Sequence, residues 1–206
     1  LKYGDCKDKT LLLLALLEEL DITGYPALVN TEAGAILSDI PPSVGRFDHV
    51  IVNAIIDGVK FWLDPTYTNQ LGPLDSIYQP DFGYALVVKE GETSLTDMNS
   101  AVVTELEIQE TYTIPKETKD IANLEVKTTY LGWQAKRVLS KIQNEGAESV
   151  RNDYLEYYQR SFSGASSTKP LELELNSSTG WVTLTEEYEI ADIFKEVEKG
   201  YEIDFY

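Results

Sequence analysis

The chain of 206 residues contains a single cysteine, Cys6, directly before the segment 7–20, which predicts a helix. At such a position, unpaired backbone N–H groups and the positive end of the helix dipole favour a thiolate. Lys7 and Lys9 act in the same direction, and Asp5 and Asp8 oppose it. The same N–H groups offer a place for an oxyanion. The sequence therefore offers a candidate thiol nucleophile.

The single histidine, His49, begins a predicted strand, and Asp64 ends the next one. The dipeptide Asp57-Gly58 between them is a strong signal for a two-residue hairpin turn. Such a turn pairs residues whose numbers sum to about 115, which places His49 and Asp64 on one face at roughly 7 Å, as diagonal neighbours. A three-residue loop would put them on opposite faces. Trp62 shares the predicted face, where it either shields the pair or packs in the core.

Cysteine, histidine and aspartate in this order are the elements of thiol acyl transfer, in which histidine takes the thiol proton and aspartate orients the imidazole. Each residue also has an ordinary structural explanation. A lone cysteine is commonly a small buried side chain, His49 precedes an apolar strand, and Asp64 before Pro65 is typical of a turn. The joint pattern favours catalytic roles for Cys6, His49 and Asp64.

The segments around these positions resemble the core of bacterial transglutaminase-like cysteine proteins, a superfamily similar in fold to papain-like peptidases. The resemblance covers about residues 1–90 and rests on five segments: Gly4-Asp5-Cys6-Lys7-Asp8-Lys9, the leucine-rich helix that follows it, Tyr25-Pro26-Ala27-Leu28-Val29, Phe47-Asp48-His49-Val50-Ile51-Val52 and Trp62-Leu63-Asp64-Pro65-Thr66. It implies that Cys6 is the nucleophile, His49 the base and Asp64 the orienting acid. It also implies a protein or peptide substrate and favours an exported protein. Hydrolysis and transamidation both remain open.

In that family, a segment upstream of the cysteine supplies a side-chain oxyanion donor. Five residues precede Cys6 in this sequence, so we expect that donor to be missing here, with a loss of about 10²-fold to 10³-fold in rate. The competing hypothesis is a catalytically inactive transglutaminase-like module that serves binding or assembly.

The expected fold is α+β. A papain/transglutaminase-like core over residues 1–95 has a helix at 7–20, predicted to pack on most sides, and strands at 25–31, 49–56 and 60–64. A β-rich, sandwich-like accessory domain follows over residues 96–206. Its half-buried strands are predicted around residues 106–114, 124–130, 171–175, 182–190 and 201–205, with a helical insertion at 134–160. The second half also resembles the accessory domains that flank such cores.

Composition excludes several classes of function. A net charge of -18 argues against nucleic-acid binding and anionic membrane surfaces. One cysteine and one histidine exclude an intrachain disulfide and cysteine- or histidine-rich zinc sites, and we expect no metal, no cofactor and no membrane insertion. Residues 1–98 carry 6 basic and 15 acidic groups and residues 99–206 carry 11 and 20, so each part has a charge of -9. The oligomeric state stays open.

Overall fold

The computed structural model describes residues 4–99, 105–114, 121–191, 193–198 and 200–202. Contacts divide the chain into two units, which we call the N-terminal unit (residues 1–70 and 77–102) and the C-terminal unit (residues 71–76 and 103–206). Each unit combines helices with an antiparallel sheet, so the predicted α+β class is confirmed.

The N-terminal unit begins with helix α1, Cys6–Glu19, which lies on a curled five-stranded sheet. Its strands are β1 Thr23–Val29, β2 His49–Ile56, β3 Val59–Leu63, β4 Tyr84–Val87 and β5 Thr96–Asp97, in the order β3-β2-β1-β4-β5. Two short 3₁₀ helices, Gly34–Ser38 and Val44–Arg46, lie between β1 and β2. The helix and three strands that the sequence predicted here are confirmed, with ends shifted by at most two residues.

The predicted hairpin register is confirmed. Val52 pairs with Leu63 and Asn53 with Trp62, so the paired numbers sum to 115. Asp57 and Gly58 have φ values of 50° and 79°, as a type I′ turn requires at its two central residues. Because side chains alternate along a strand, Asp64 follows on the face that carries His49.

Helix α1 is far more exposed than its sequence predicted. Only its Thr10 and Leu17 are buried, and Leu17 packs against Val52 and Ala54 on one face of β2. Four leucines of the apolar run or its end are between 54% and 68% exposed: Leu11, Leu12, Leu16 and Leu20. The prediction of a helix packed on most sides was wrong, because the sheet covers one side of α1 only.

The C-terminal unit is built on a second antiparallel sheet, ordered β6-β7-β10-β8, with β9 also paired to β10. Its elements are β6 Glu105–Thr113, β7 Ile121–Leu131, α2 Trp133–Glu145, α3 Ala147–Gln159, β8 Ala165–Ser167, β9 Glu172–Leu175, β10 Val182–Ala191, and a hairpin of β11 Lys195–Val197 and β12 Gly200–Glu202. The two helices confirm the predicted insertion. The predicted strand positions Ile203 and Phe205 lie outside the described residues.

Alternate residues of β7 and β10 are buried, as predicted for half-buried strands. The same prediction was wrong for Leu106 and Ile108 of β6, which are more than half exposed. Their pairing partners on β7, Tyr130 and Thr128, are buried. The alternation therefore gives the face correctly, but the covering layer does not extend over Leu106 and Ile108 of the edge strand β6.

One carboxylate, Glu186 of β10, lies on the buried face of this second sheet and is 4% exposed. It accepts a hydrogen bond from the hydroxyl of Tyr188. Burial raises the pKa of Glu186 to about 7, although the Tyr188 hydrogen bond acts in the opposite direction. The charge of this buried carboxyl group therefore changes near neutral pH.

Candidate active site

His49 and Asp64 form a hydrogen-bonded pair. The distance from His49 Nε2 to Asp64 Oδ2 is 2.7 Å, and Asp64 is 2% exposed. The other carboxylate oxygen, Oδ1, accepts the backbone N–H of Thr66 at 2.9 Å and its hydroxyl at 2.6 Å. Three donors therefore hold the Asp64 carboxylate in one orientation.

This arrangement fixes the tautomer of the neutral His49 ring. An ionised carboxylate can only accept, so Nε2 carries the hydrogen that is donated to Asp64. The remaining nitrogen, Nδ1, then keeps its lone pair and is the atom available as a base. This is the division of roles that a histidine–aspartate pair needs for proton transfer.

Aromatic packing limits access of water to one side of the His49 ring. Phe82 is buried and meets the ring edge-on, with centroids 6.1 Å apart. Trp62 lies in the adjacent core, where its indole N–H donates to the carbonyl of Met98 at 2.9 Å. Core packing is therefore the observed role of Trp62, and the ring in contact with His49 is Phe82.

Cys6 is the first residue of α1, is half-buried, and lines a cavity of about 360 Å³ together with His49. The helix packs on the β2 face that carries Val52, whereas His49 alternates onto the face of Ile51. Cys6 reaches the His49 cavity because α1 begins beside the first residues of β2, where Thr10 donates to the carbonyl of Val50 at 3.1 Å. Cys6 and His49 thus both belong to the lining of this cavity.

The structure does not bring all three predicted residues into contact. In the part of the chain that it describes, no hydrogen bond joins the Cys6 thiol to the His49 ring. His49 and Asp64 form a hydrogen-bonded dyad, and Cys6 lines a cavity together with His49.

The helix terminus beside Cys6 is less open than the sequence predicted. The Asp5 carboxylate accepts the backbone N–H groups of Lys7 at 2.8 Å and Asp8 at 3.2 Å, and Asp8 accepts the N–H of Asp5 in return. Two of the amides expected to stabilise a thiolate or oxyanion are therefore already bonded to a carboxylate. Among the described residues the N–H of Cys6 has no such partner, so it is the amide of this turn that remains available.

The charged side chains of this turn, Asp5 and Lys7, stabilise each other. The backbone N–H of Asp8, then the ammonium and N–H of Lys7, lower the pKa of Asp5. The hydrogen bond to Asp5, with a smaller contribution from Cys6, raises the pKa of Lys7. The ammonium of Lys7 lies 3.2 Å from the Asp5 carboxylate, so its positive charge stabilises that carboxylate more than it stabilises a Cys6 thiolate.

Sequence reasoning missed two residues of this site. Thr66 follows Asp64 by two positions, a spacing at which an aspartate side chain commonly accepts the backbone N–H, so a local signal was present. Phe82 comes from the segment before β4 and contacts His49 across 33 positions of sequence, for which the sequence carries no local signal.

The described residues contain no group of three or more histidine, cysteine or acidic side chains placed to hold a metal ion. None of the helices described is both long enough and apolar enough to cross a bilayer. Comparison with models of protein families, with curated proteins and with solved structures found no match. The transglutaminase-like resemblance therefore stays a prediction.

Proposed function

We propose that the N-terminal unit is the core of a transglutaminase-like cysteine enzyme that transfers acyl groups from amide substrates through a thioester. The observation that supports this most strongly is the hydrogen bond between His49 and the buried Asp64, together with a cavity whose lining includes both His49 and the chain's only cysteine. A carboxylate that orients the histidine ring is what thiol acyl transfer requires of such a pair.

In the proposed reaction, the Cys6 sulfur attacks the amide carbonyl carbon while His49 Nδ1 takes the thiol proton. The tetrahedral intermediate collapses, the C–N bond breaks, and the imidazolium returns the proton to the leaving amine. Water or a second amine then attacks the thioester, His49 takes a proton from it, and Cys6 leaves as the thiol. Catalytic hydrogen bonds often tighten only when substrate is bound, so this mechanism requires Sγ and Nδ1 to approach in that complex.

The finer fold assignment belongs to the same proposal. A helix that begins at the thiol is followed by an antiparallel sheet in which His49 begins the second strand and Asp64 directly follows the third. This is the order of a papain/transglutaminase-like core in residues 1–95. Residues 96–206 would then be the β-rich, sandwich-like accessory domain of an exported bacterial protein. The substrate would be a protein or peptide, without a cofactor.

The pH dependence of alkylation tests the proposal, because the chain has one cysteine and every adduct reports on Cys6. An ordinary thiol is only about 0.3% ionised at pH 6. We expect iodoacetamide to modify the folded protein at pH 6 at least tenfold faster than the urea-unfolded protein, measured by intact mass. His49→Ala should remove this advantage. The matched control is Asp21→Asn, which removes an exposed carboxylate of the same unit that is not part of the cavity lining.

A second candidate function, a catalytically inactive module for binding or assembly, is favoured by two observations. No thiol–imidazole hydrogen bond is present among the described residues, and Asp5 occupies amides at the helix terminus. Equal alkylation rates in the native protein, the His49→Ala variant and the unfolded chain would establish this alternative and reject acyl transfer.

A further inference from the structure

A second cavity, of about 470 Å³, lies in the N-terminal unit beside the candidate active site. Its walls are formed by the two 3₁₀ helices and the residues that follow each of them, by β4 and by the segment 93–95. Most of its lining is apolar and includes Leu37, Ile40, Pro41, Pro42, Leu86 and Leu95. Among the described residues, Arg46 is the one charged side chain in this lining. We call this space the apolar pocket.

Phe47 belongs to the lining of both the apolar pocket and the cavity of the candidate active site, so the two spaces are neighbours. It precedes His49 by two residues, so the residue that they share belongs to the segment that leads into β2.

The walls of the apolar pocket are held in place by bonds at both ends of this segment. The Asn30 side chain donates to the carbonyl of Arg46 at 2.6 Å. The carboxylate of Asp48 accepts the backbone N–H of Thr31 at 2.9 Å and its hydroxyl at 2.8 Å. Because these bonds fix the residues on either side of Phe47, the pocket exists before a ligand arrives.

A close backbone contact holds the first 3₁₀ helix, whose Leu37 is part of the pocket lining. Gly83 lies against the first 3₁₀ helix so tightly that an added Cβ would come within 2.4 Å of the carbonyl carbon of Gly34. Its φ is also positive, at 74°. A preformed, largely apolar concavity of this size is typical of a site that binds part of a ligand.

We propose that the apolar pocket binds a large apolar side chain, such as leucine, methionine or phenylalanine, in the acyl part of the substrate. This inference rests on the proposed acyl-transfer function. Only the acyl part stays attached to Cys6 through both halves of the reaction, so a pocket beside the thiol can use its binding energy in each transition state. Apolar pockets discriminate side chains that differ by a few carbon atoms by about 10-fold to 200-fold.

The test uses acetylated tetrapeptide chloromethyl ketones in which one leucine is moved along an all-alanine background. We expect one leucine position to raise the rate constant for Cys6 labelling at least tenfold over the all-alanine reagent. Ser94→Trp, which introduces an indole at an exposed residue of the pocket lining, should abolish that preference. Ser177→Trp is the matched control, since Ser177 is exposed in the C-terminal unit and should leave the preference intact. Equal labelling by all reagents, or a preference that survives Ser94→Trp, overturns the inference.

A second measurement separates this inference from the proposed function. The same peptides, capped as amides without the reactive group, are titrated into a Cys6→Ser variant and followed by NMR chemical shifts. If Cys6 shows only ordinary thiol reactivity, acyl transfer fails, while tighter binding of one leucine peptide that Ser94→Trp abolishes still supports the pocket. If Cys6 is activated and yet no leucine peptide binds or labels better than the alanine peptide, the pocket assignment alone is rejected.

Discussion

At the scale of single residues, Thr66, two positions after Asp64, decides what the His49–Asp64 pair can do. Thr66 presents two donors to Oδ1 of Asp64, so Oδ1 must act as an acceptor. The other carboxylate oxygen, Oδ2, is then available to the imidazole. A residue that replaces Asp64 faces the same two donors of Thr66. The identity of the group that faces His49 Nε2 is therefore set by Thr66.

Asp64→Asn should reverse the tautomer of the neutral His49 ring. The two Thr66 donors will hold the asparagine carbonyl oxygen, which turns the asparagine NH₂ toward Nε2 and makes that nitrogen the acceptor. The proton then resides on Nδ1, where it blocks the proposed base and should lower acyl transfer by about 10²-fold to 10⁴-fold. Because the chain has one histidine, ¹⁵N NMR of histidine-labelled protein reads the tautomer without overlap.

The matched control for this experiment is Asp21→Asn, at an exposed position outside the cavity lining, in which the tautomer should stay as in the native protein, with the hydrogen on Nε2. An Nε2–H tautomer in Asp64→Asn as well would mean that the interaction with Asp64 does not control the ring. Adding Thr66→Val to Asp64→Asn removes the hydroxyl donor and should weaken the bias toward the Nδ1–H form.

At the scale of elements, the sequence predicted what depends on local rules. Asp57-Gly58 fixes the hairpin turn, and the turn fixes the register that brings His49 and Asp64 to one face. The burial of α1 depends on which other surfaces cover it, and a leucine run carries no information about that. The contact between Phe82 and His49 likewise depends on the path of a long connection. Register was therefore predictable, while the cover of the helix and the aromatic wall of the site were not.

Neighbouring leucines of α1 should differ sharply in their contribution to stability. Leu17 is 7% exposed and packs on Val52 and Ala54, so Leu17→Ala should lower the free energy of unfolding by about 2–5 kcal/mol. Leu16 is 54% exposed, and Leu16→Ala should change it by less than about 1 kcal/mol. Both variants alter helix propensity equally, so the difference between their urea unfolding curves isolates burial. Similar losses in the two variants would mean that α1 is covered on the Leu16 side in solution.

At the scale of the whole molecule, the charge of -18 is divided evenly along the chain. Most acidic groups are solvated. They repel one another over long distances, and salt screens this repulsion. Glu186 is different because it lies in the core of the C-terminal unit. Tyr130, Tyr154 and Tyr158 are close enough for its charge to add to the effect of burial in raising their pKa values. Of these, Tyr130 and Tyr154 bond to each other, and Tyr158 donates to Glu110 of β6.

Glu186 should make the free energy of unfolding fall as pH rises through neutrality. Its pKa is about 7 in the folded protein and near the ordinary value of 4.5 when unfolded, so the folded state holds the proton more tightly. The stability from this proton is fully present below about pH 4.5 and is lost as pH rises through 7, amounting to about 3 kcal/mol in total. Glu186→Gln keeps an acceptor for Tyr188 without the charge. Its urea unfolding free energy should exceed that of the native protein at pH 8, and the difference should disappear as pH falls to about 4.5.

The remaining carboxylates also contribute to pH dependence, so Glu189→Gln, an exposed position on the opposite face of β10, serves as the reference for loss of one surface charge. Native protein and Glu189→Gln should show parallel curves of stability against pH, while the curve of Glu186→Gln is flatter between pH 5 and 8. Parallel curves for all three proteins would mean that Glu186 titrates as a solvated side chain. A flatter curve for Glu186→Gln alone would place the main pH-sensitive group of the fold in the C-terminal unit, apart from the His49–Asp64 pair in the N-terminal unit. Stability and thiol reactivity would then respond to pH through different residues, and each could be changed by mutation without the other.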